Sequence, residues 1–457
     1  MFDNTGERMK EQEPQEEISL RRVAIASMSG TVLEWYDFFL YGFAAVLVFG
    51  DLFFPTFSPL AGTLASLGTF VVGFVARPIG GVVFGHFGDR IGRKSMLILT
   101  IGIMGGGSFA IGLLPTYEHI GVVAPILLVV LRFFQGIGLG GEWGGAVLMT
   151  VEYAAPSRRG FWGSIVQLGA PAGQALAVLI LFGGSFVLSD QAFLSWGWRI
   201  PFLLSAALLV LGLYIRLKIV ETPAFRKIKE QNAQVRLPIV EVLRNHRTAV
   251  LTTILVYLGG ITVPFYITWI FLVSYATETL QVDRTAVLLG VVLANVILVP
   301  ATLAGGYLSD RVGRRPVCMW ALLLVALLAF PVFWIANLSE VGWVWLAMLL
   351  FGFPTWFIWG ALPAFFSELF PTQIRYSGMS VGAQTGTIIG SLTPFFAAAV
   401  VPVMGTWPVS LVAIAVGVGP ALVMYFSRET LGSDLGHDSA PTRRLSSSHA
   451  EPLMNET

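Results

Sequence analysis

Charged side chains are scarce in this sequence, making up 12% of its 457 residues, whereas a soluble domain carries about 25%. This deficit excludes an ordinary soluble enzyme, a disordered chain and a nucleic-acid-binding protein. The 28 Lys and Arg residues almost balance the 27 Asp and Glu residues. No excess of either sign therefore points to a nucleic-acid partner.

Metal-ligating and nucleophilic residues are also sparse. Cys318 is the only cysteine, which excludes an internal disulfide bond and a cysteine-based metal site. The five histidines are scattered without a His-x-x-x-His pair, and no nucleophile with a base and an orienting residue stands out. We expect no cofactor, no metal and no enzymatic activity, although a membrane enzyme or a receptor stays open as a different class.

Hydrophobic residues, by contrast, make up 55% of the chain and occur in long runs. A helix needs about 20 apolar residues to cross a bilayer, so the chain can hold twelve spans with short loops. We predict an all-α polytopic membrane protein with twelve transmembrane helices. The candidate spans are 23–49, 61–87, 95–114, 122–149, 160–188, 198–219, 249–275, 286–308, 316–336, 342–368, 376–403 and 406–427.

A charged segment between spans six and seven divides the chain into two halves. We predict an N-terminal tail (1–22), an N-terminal six-helix bundle (23–219), a linker (220–248), a C-terminal six-helix bundle (249–427) and a C-terminal tail (428–457). The first tail is acidic, unlike the basic start of a cleaved signal peptide. The second is rich in Ser and Pro, and we expect it to be disordered from about residue 430.

Lys and Arg residues gather in the loops on one side of the predicted bundle. The loops of the other side contain Arg284, and Arg199 lies at the start of span six. Because cytoplasmic loops are enriched in Lys and Arg, we expect both termini and the linker to be cytoplasmic. The expected location is the cell membrane, with multiple passes.

An internal repeat links the two halves. Residues 85–94 read GHFGDRIGRK and residues 306–315 read GYLSDRVGRR. Two further pairs of segments are similar: 152–160 and 368–378, and Glu221-Thr222 and Glu429-Thr430. In each pair, both segments follow the equivalent span of their half. A six-helix unit used twice in the same orientation is suited to alternating access around a central site.

The repeated pattern G-x-x-x-D-R-x-G-R-[KR] resembles the signature loop of the major facilitator superfamily. Within it, VLEWYDFFLYG (32–42), RPIGGVVFGHFGDRIGRK (77–94), LRFFQGIGLGGEWGGA (131–146) and SWGWRIPFLLS (195–205) resemble the metabolite:proton symporter family. The resemblance is greatest to the shikimate transporter branch. It implies two six-helix bundles and proton-coupled transport of organic acids, shikimate, or betaine and proline.

The resemblance also implies a cytoplasmic gate. Gly85 would allow close helix approach, Asp89 would lie against a helix end of the opposite half, and Arg93 would join a charge cluster with Glu152. Asp310 and Arg314 would act in the same way in the second half. Four further residues complete the predicted gate: Arg90, Gly92, Arg311 and Glu368.

Five charged residues are candidates for a position deep within predicted spans, all in the first half: Glu34, Asp37, Arg77, Arg132 and Glu142. A charge at mid-membrane costs about 2.5 kcal/mol or more, so it usually faces the bundle interior and a partner. Estimated depths predict two groupings, Asp37 with Arg132, and Glu34 or Glu142 with Arg77. The alternative is that such ion pairs only lock helices together, and that Arg77, before Pro78, is a structural anchor.

The charged residues of the first span share one helical face. Gly30, Glu34, Asp37 and Tyr41 follow i, i+4, i+7, i+11 spacing, which aligns them on one side. We expect this face to point at a cavity. A carboxylate there can alternate between holding a proton and pairing with Arg132, and the freed arginine can bind a substrate carboxylate.

The sequence therefore predicts a secondary transporter that couples the proton gradient to import of a small organic acid such as shikimate. α-Ketoglutarate, citrate, aromatic acids, and betaine or proline stay open as substrates, and so does proton-driven export or uncoupled facilitation. The expected partners are a small solute, protons and the lipid bilayer, for a chain that acts as a monomer.

Overall fold

The computed structural model describes residues 20–218, 220–231, 235–433 and 435, which are helical with no strand among them. Residues 1–19 and 436–457, which hold most of the two predicted tails, lie outside the described part. The prediction that the C-terminal tail is disordered therefore falls outside it as well.

Twelve membrane-crossing helices confirm the predicted fold class. In the first half they are α1 (Leu20–Leu47), α2 (Pro59–Ile91), α3 (Arg93–Leu113), α4 (Val123–Val151), α5 (Arg159–Gln167 and Gly169–Val187) and α6 (Arg199–Leu217). In the second half they are α7 (Arg247–Thr279), α8 (Arg284–Val312), α9 (Arg314–Leu328 and Pro331–Ala336), α10 (Val341–Leu369), α11 (Arg375–Met404) and α12 (Trp407–Phe426).

Ten of these helices are long and apolar enough to span a bilayer by length and composition alone, among the residues described. The other two are α1 and α9. Helix α1 is continuous but contains charged residues, including Glu34 and Asp37. Helix α9 is divided at Pro331, because proline lacks a backbone N–H to continue the helix. Both exceptions have a local chemical cause and neither changes the number of helices.

The same helix pairings occur in both halves. Helix α2 packs against α4 as α8 packs against α10, α3 against α6 as α9 against α12, and α1 against α5 as α7 against α11. The glycines of α4 allow its close contact with α2, because a Cβ at Gly136 would lie 2.8 Å from Ala76 Cβ. The predicted repeat is therefore present in the tertiary structure.

The two halves meet through α2 against α11 and through α5 against α8 and α10. Two short helices of the linker, Pro223–Glu230 and Pro238–Asn245, lie on the face that carries both signature loops, here named the loop face. The second of them contacts α2 of the first half and α7 and α11 of the second. The linker thus connects the halves by packing as well as by sequence.

Candidate functional site

A cavity of about 100 Å³ lies between the two halves. Helices α1, α2 and α5 line one side, and α7, α8, α10 and α11 line the other. Half of the residues that line it are aromatic: Trp35, Phe38, Phe39, Phe74, Tyr257, Phe265, Tyr266, Trp356 and Trp359. Helix α7 contains three π-helical turns, of which the first, Leu258–Thr262, supplies part of this wall. Such turns are frequent at functional sites.

Arg77 supplies the positive charge of the cavity wall, which contains no carboxylate among its described lining residues. Its Nε donates to Gln384 Oε1 of α11 at 3.1 Å, and Gln384 Nε2 donates to the Gly140 carbonyl at 3.2 Å. Arg77 is only partly buried. A cation therefore reaches across the interface between the halves and stays open to the cavity.

The predicted pairing of Glu142 with Arg77 is wrong. Glu142 is buried and instead forms an ion pair with Arg216 of α6, which bonds to both of its carboxylate oxygens. Thr100 Oγ1 donates to the same carboxylate at 2.6 Å. Arg216 was not among the predicted residues, because a cation in the last turn of a span resembles an ordinary loop-side arginine.

Glu34 is in electrostatic reach of Arg77, Glu142 and Arg216, but no ion pair joins it to Arg77 within the described residues. Its side chain is 2% exposed and its Oε2 has no hydrogen-bond partner. Of the pairings predicted for Glu34 and Glu142, only the proximity of Glu34 to Arg77 is present.

Asp37 and Arg132 are both buried, but they do not form a direct ion pair in the part of the chain that the structure describes. Asp37 Oδ1 accepts a hydrogen bond from Ser205 of α6 at 2.9 Å. The Arg132 guanidinium lies 4.2 Å from the ring centroid of Tyr41 and donates to Gln135 at 3.4 Å. The predicted pairing is therefore replaced by neutral partners.

The polar face of α1 does not point at the cavity, contrary to prediction. Asp37 faces α6, and Tyr41 shares a 2.6 Å hydrogen bond with Thr69 of α2. The cavity is lined instead by the adjacent residues Trp35 and Phe38. The i, i+4, i+7 spacing identifies a face, but the neighbouring helices decide what that face meets. The carboxylates therefore form a polar array inside the first half, behind the aromatic wall.

On the loop face, Asp89 of α2 lies at the start of α11. Its carboxylate accepts hydrogen bonds from the backbone N–H of Tyr376 at 3.1 Å and of Ser377 at 2.8 Å. The close approach depends on Gly85, where a Cβ would lie 2.8 Å from Ser377 Cα. An aspartate at a helix N-terminus is stabilised by the helix dipole and by free N–H groups. Asp89 thus ties the first half to the second.

A charge cluster surrounds this contact. Arg93 lies 3.5 Å from Asp89 and 3.6 Å from Glu152, and Arg375 of the second half lies 3.0 Å from Glu152. Burial disfavours the charge on Glu152, but Arg93 and Arg375 hold the pKa of its carboxyl below the usual range. Glu152 therefore keeps its charge at neutral pH, and its contribution to stability is lost as the pH falls through that lowered pKa.

The second signature loop forms the equivalent contact. Asp310 accepts from the backbone N–H of Gly160 at 2.8 Å and of Phe161 at 2.7 Å, at the start of α5. Arg314 lies 2.6 Å from Asp310 and 3.2 Å from Glu368. Each half thus places an aspartate on a helix N-terminus of the other.

The remaining residues of the predicted gate have different surroundings. Gly92 has a φ of 126°, a conformation that favours glycine. Arg90 and Arg311 are exposed, and Arg311 lies over the Tyr307 ring at 4.5 Å. These two arginines lie outside the buried clusters, so the geometry gives them no part in the contacts between halves.

Two glutamates at the loop face were missed as site residues. Glu221 accepts from the Lys94 N–H at 3.1 Å at the start of α3, and Glu429 accepts from the Arg314 N–H at 2.8 Å at the start of α9. The dipeptide Glu221-Thr222 is repeated as Glu429-Thr430, and this repetition could have identified them. The last helix of each half is therefore anchored to the third.

Twelve membrane helices in two similar halves, with a cavity between them and charged contacts across one face, define a polytopic membrane transporter. The chain belongs to the Major Facilitator Superfamily, whose family profile matches residues 27–394. This confirms the resemblance seen in the signature loops and places the chain among the transporters of metabolites.

Curated relatives cover most of the chain. It is 41% identical to the inner membrane metabolite transport protein YhjE of Escherichia coli over 83% of this chain and 88% of that protein. It is 40% identical to the shikimate transporter of Escherichia coli over 85% of this chain and 89% of that protein. A proline/betaine transporter of Salmonella typhimurium is 34% identical over 83% of this chain and 77% of that protein.

The structure of the proton:xylose symporter XylE bound to 6-bromo-6-deoxy-D-glucose shares the fold. It superposes with a TM-score of 0.76 at 17% identity and covers 91% of this chain and 98% of that one. At this identity the likeness concerns the fold alone.

Proposed function

We propose that this chain is a proton-coupled symporter that imports a small organic acid by alternating access. The observation that carries the proposal is the cavity between the halves, whose wall combines Arg77 with aromatic rings and no carboxylate among its described residues. A guanidinium binds a carboxylate bidentately, whereas the rings cover the apolar part of a small solute.

Shikimate, or a related acid with a single carboxylate, fits this wall best. Arg77 would hold the carboxylate, and neutral groups such as Gln174, Asn295 and Thr387 can hydrogen-bond to hydroxyl groups. α-Ketoglutarate and citrate carry more than one carboxylate, for which the wall offers no second cation among its described residues. The 40% identity to a shikimate transporter supports the same choice.

A betaine or proline is the second candidate, and the aromatic wall favours it. A quaternary ammonium group is attracted to the faces of Trp and Tyr rings, which Trp35, Trp356 and Tyr257 supply, and the carboxylate of a zwitterion would still meet Arg77. Uptake of radiolabelled shikimate, α-ketoglutarate, citrate, betaine and proline, with intracellular pH recorded, separates these candidates. Uptake of no acid or zwitterion from this set would contradict the proposal.

We place the loop face in the cytoplasm of a cell-membrane protein, with both termini on that side, because Lys and Arg gather there. Residues 23–219 and 249–427 are the two halves that rock about the cavity, and each chain works as a monomer. The contacts of Asp89 and Asp310 hold the halves together on the loop face, so their release opens the cavity to the cytoplasm. Counterflow with and without a pH gradient distinguishes import from proton-driven export and from uncoupled facilitation.

Replacing Asp89 and Asp310 together with asparagine weakens the closed loop face. Each change removes a charged helix cap worth about 0.3–1 kcal/mol. We expect a cysteine placed at Ser380, buried near the interface, to react roughly fivefold faster with a maleimide added on the loop side, a factor that corresponds to about 1 kcal/mol. The background is Cys318→Ser.

Arg90→Gln is the matched control for this experiment, because Arg90 is a charged residue of the same loop that lies outside the cluster. It should leave the labelling rate unchanged. Equal rates in the parent and in the double asparagine variant would show that these contacts do not hold the gate.

Asp37→Asn and Arg132→Ala test the polar array behind the cavity wall. We expect both variants to lose accumulation of solute driven by a pH gradient, because Asp37 lies in the array that we propose to carry the proton, and Arg132 is the arginine proposed to act with it. Exchange of labelled for unlabelled solute needs no net proton movement, so Asp37→Asn should retain it. Full proton-driven accumulation by both variants would remove Asp37 and Arg132 from the coupling mechanism.

A further inference from the structure

The segment that follows α12 lies across the loop face. It consists of residues 427–433 and 435 in the part of the chain that the structure describes, and is here named the C-terminal strap. Glu429 fixes its start to the second half, because its carboxylate accepts from the Arg314 N–H at 2.8 Å at the start of α9. Thr430 Oγ1 donates to Glu368 at 2.8 Å. The strap therefore begins at the charge cluster of the second signature loop.

The strap turns at Gly432. The Ser433 N–H donates to the Thr430 carbonyl at 3.0 Å, and Gly432 has a φ of 84°. A positive φ at the third residue of a turn favours glycine. A Cβ at Gly432 would meet no atom within 4 Å, so the backbone conformation alone requires glycine here.

Beyond the turn, the strap contacts the first half. The Ser433 carbonyl accepts a hydrogen bond from Arg159 Nη1 at 2.6 Å, at the start of α5. Arg159 is 4% exposed and also lies 3.3 Å from Glu368. Hydrogen bonds from a charged donor are stronger than neutral ones. A buried cation of the first half therefore holds a backbone carbonyl of the second.

The end of the described strap lies at the other charge cluster. Leu435 is 6% exposed and belongs to the buried hydrophobic cluster that contains Phe370 and Ile374. Its carbonyl accepts a hydrogen bond from Thr372 Oγ1. The Thr372 carbonyl in turn accepts from Arg93 of the first half at 2.8 Å. The strap thus links the surroundings of both signature loops.

We propose that the C-terminal strap is a latch that holds the loop face closed in addition to the two signature-loop aspartates, a proposal that rests on the alternating access proposed above. Opening the loop face moves Arg159 of α5 away from the second half, whereas Glu429 keeps the start of the strap on α9. The strap cannot follow both halves, so its contact with Arg159 breaks or Leu435 leaves its cluster. Release of the strap and opening of the loop face therefore favour each other.

Gly432→Ala tests the latch in the full-length chain, because it strains the turn without removing a side chain. The reporter is Ser380→Cys in the Cys318→Ser background, labelled with a maleimide on the loop side. We expect labelling to be roughly 5- to 30-fold faster, the factor that corresponds to the strain of a left-handed conformation. Gly405→Ala is the matched control, since Gly405 has a φ of 75° and equally open space but lies between α11 and α12 on the opposite face. It should leave the rate unchanged.

Leu435→Cys in the same Cys318→Ser background reports release of the strap directly. It should react far more slowly than Arg428→Cys, because Leu435 is buried and Arg428 is exposed. Replacing Asp89 and Asp310 together with asparagine should speed the labelling of Leu435→Cys and leave that of Arg428→Cys as it was. Equal Ser380→Cys rates in Gly432→Ala and its parent, or Leu435→Cys labelling that does not respond to the aspartate variant, would overturn the latch.

Alternating access fails separately from the latch. If shikimate and a pH gradient changed neither labelling rate while Gly432→Ala still raised that of Ser380→Cys, the strap would hold the loop face and transport of this acid would be contradicted. Conversely, proton-coupled shikimate uptake by the unaltered protein, with Ser380→Cys labelling unchanged by Gly432→Ala, would reject the latch and leave symport in place.

Discussion

Arg77→Gln reduces the affinity for a carboxylate solute roughly 10- to 150-fold. Hydrogen bonds to a charged group are worth about 1.5–3 kcal/mol, and each 1.4 kcal/mol corresponds to a factor of ten in the dissociation constant. Arg77→Lys should give an intermediate loss, because lysine keeps the charge but not the planar two-point geometry. The measurement is the concentration dependence of solute uptake into proteoliposomes.

Arg284→Gln is the matched control for this loss, since it makes the same chemical change at an exposed residue that is not among the cavity-lining residues. It should transport like the parent protein. An Arg77→Gln variant with parental affinity for the acid would show that the carboxylate is bound elsewhere.

Arg216→Gln destabilises the folded protein by about 3–5 kcal/mol, because it leaves Glu142 as a buried carboxylate without its cation. Glu142 is 0% exposed and Arg216 is 2% exposed, so water cannot replace the missing partner. The double variant Glu142→Gln/Arg216→Gln removes both charges and should recover much of the loss. The measurement is the thermal unfolding midpoint of the purified protein in detergent.

Lys218→Gln provides the control for this ion pair, because Lys218 is an exposed cation two residues further along the chain. It should unfold at the parental temperature. If the single Arg216 variant were as stable as the double variant, the ion pair would contribute nothing beyond helix packing.

The buried charges show where sequence reasoning succeeded and where it stopped. Glu34, Asp37, Arg132 and Glu142 were expected to avoid lipid, and all four are buried. Their partners were not predictable from depth along each helix, because depth leaves the rotation of the helix and the identity of its neighbour open. Arg216 was missed because it lies in the last turn of its helix, where an arginine resembles an ordinary loop-side residue.

The signature loops were more informative than the charges within the spans. Their doubled spacing marked Asp89 and Asp310, and both lie on helix N-termini of the opposite half. The spacing could not show that Arg90 and Arg311 face solvent whereas Arg93 and Arg314 are buried. Whether an arginine of these loops is exposed or buried depends on the direction in which the helix end orients its side chain.

The sequence alone determined that this chain crosses the membrane twelve times in two similar halves. Hydrophobic length and repeated motifs are properties of the chain itself, and few structures other than membrane-spanning helices satisfy the backbone hydrogen bonds inside a bilayer. Only the tertiary structure decided that the polar face of α1 meets α2 and α6 behind the aromatic wall, leaving Arg77 in the cavity. That choice depends on how the helices rotate to satisfy their buried polar groups together, which no single helix specifies.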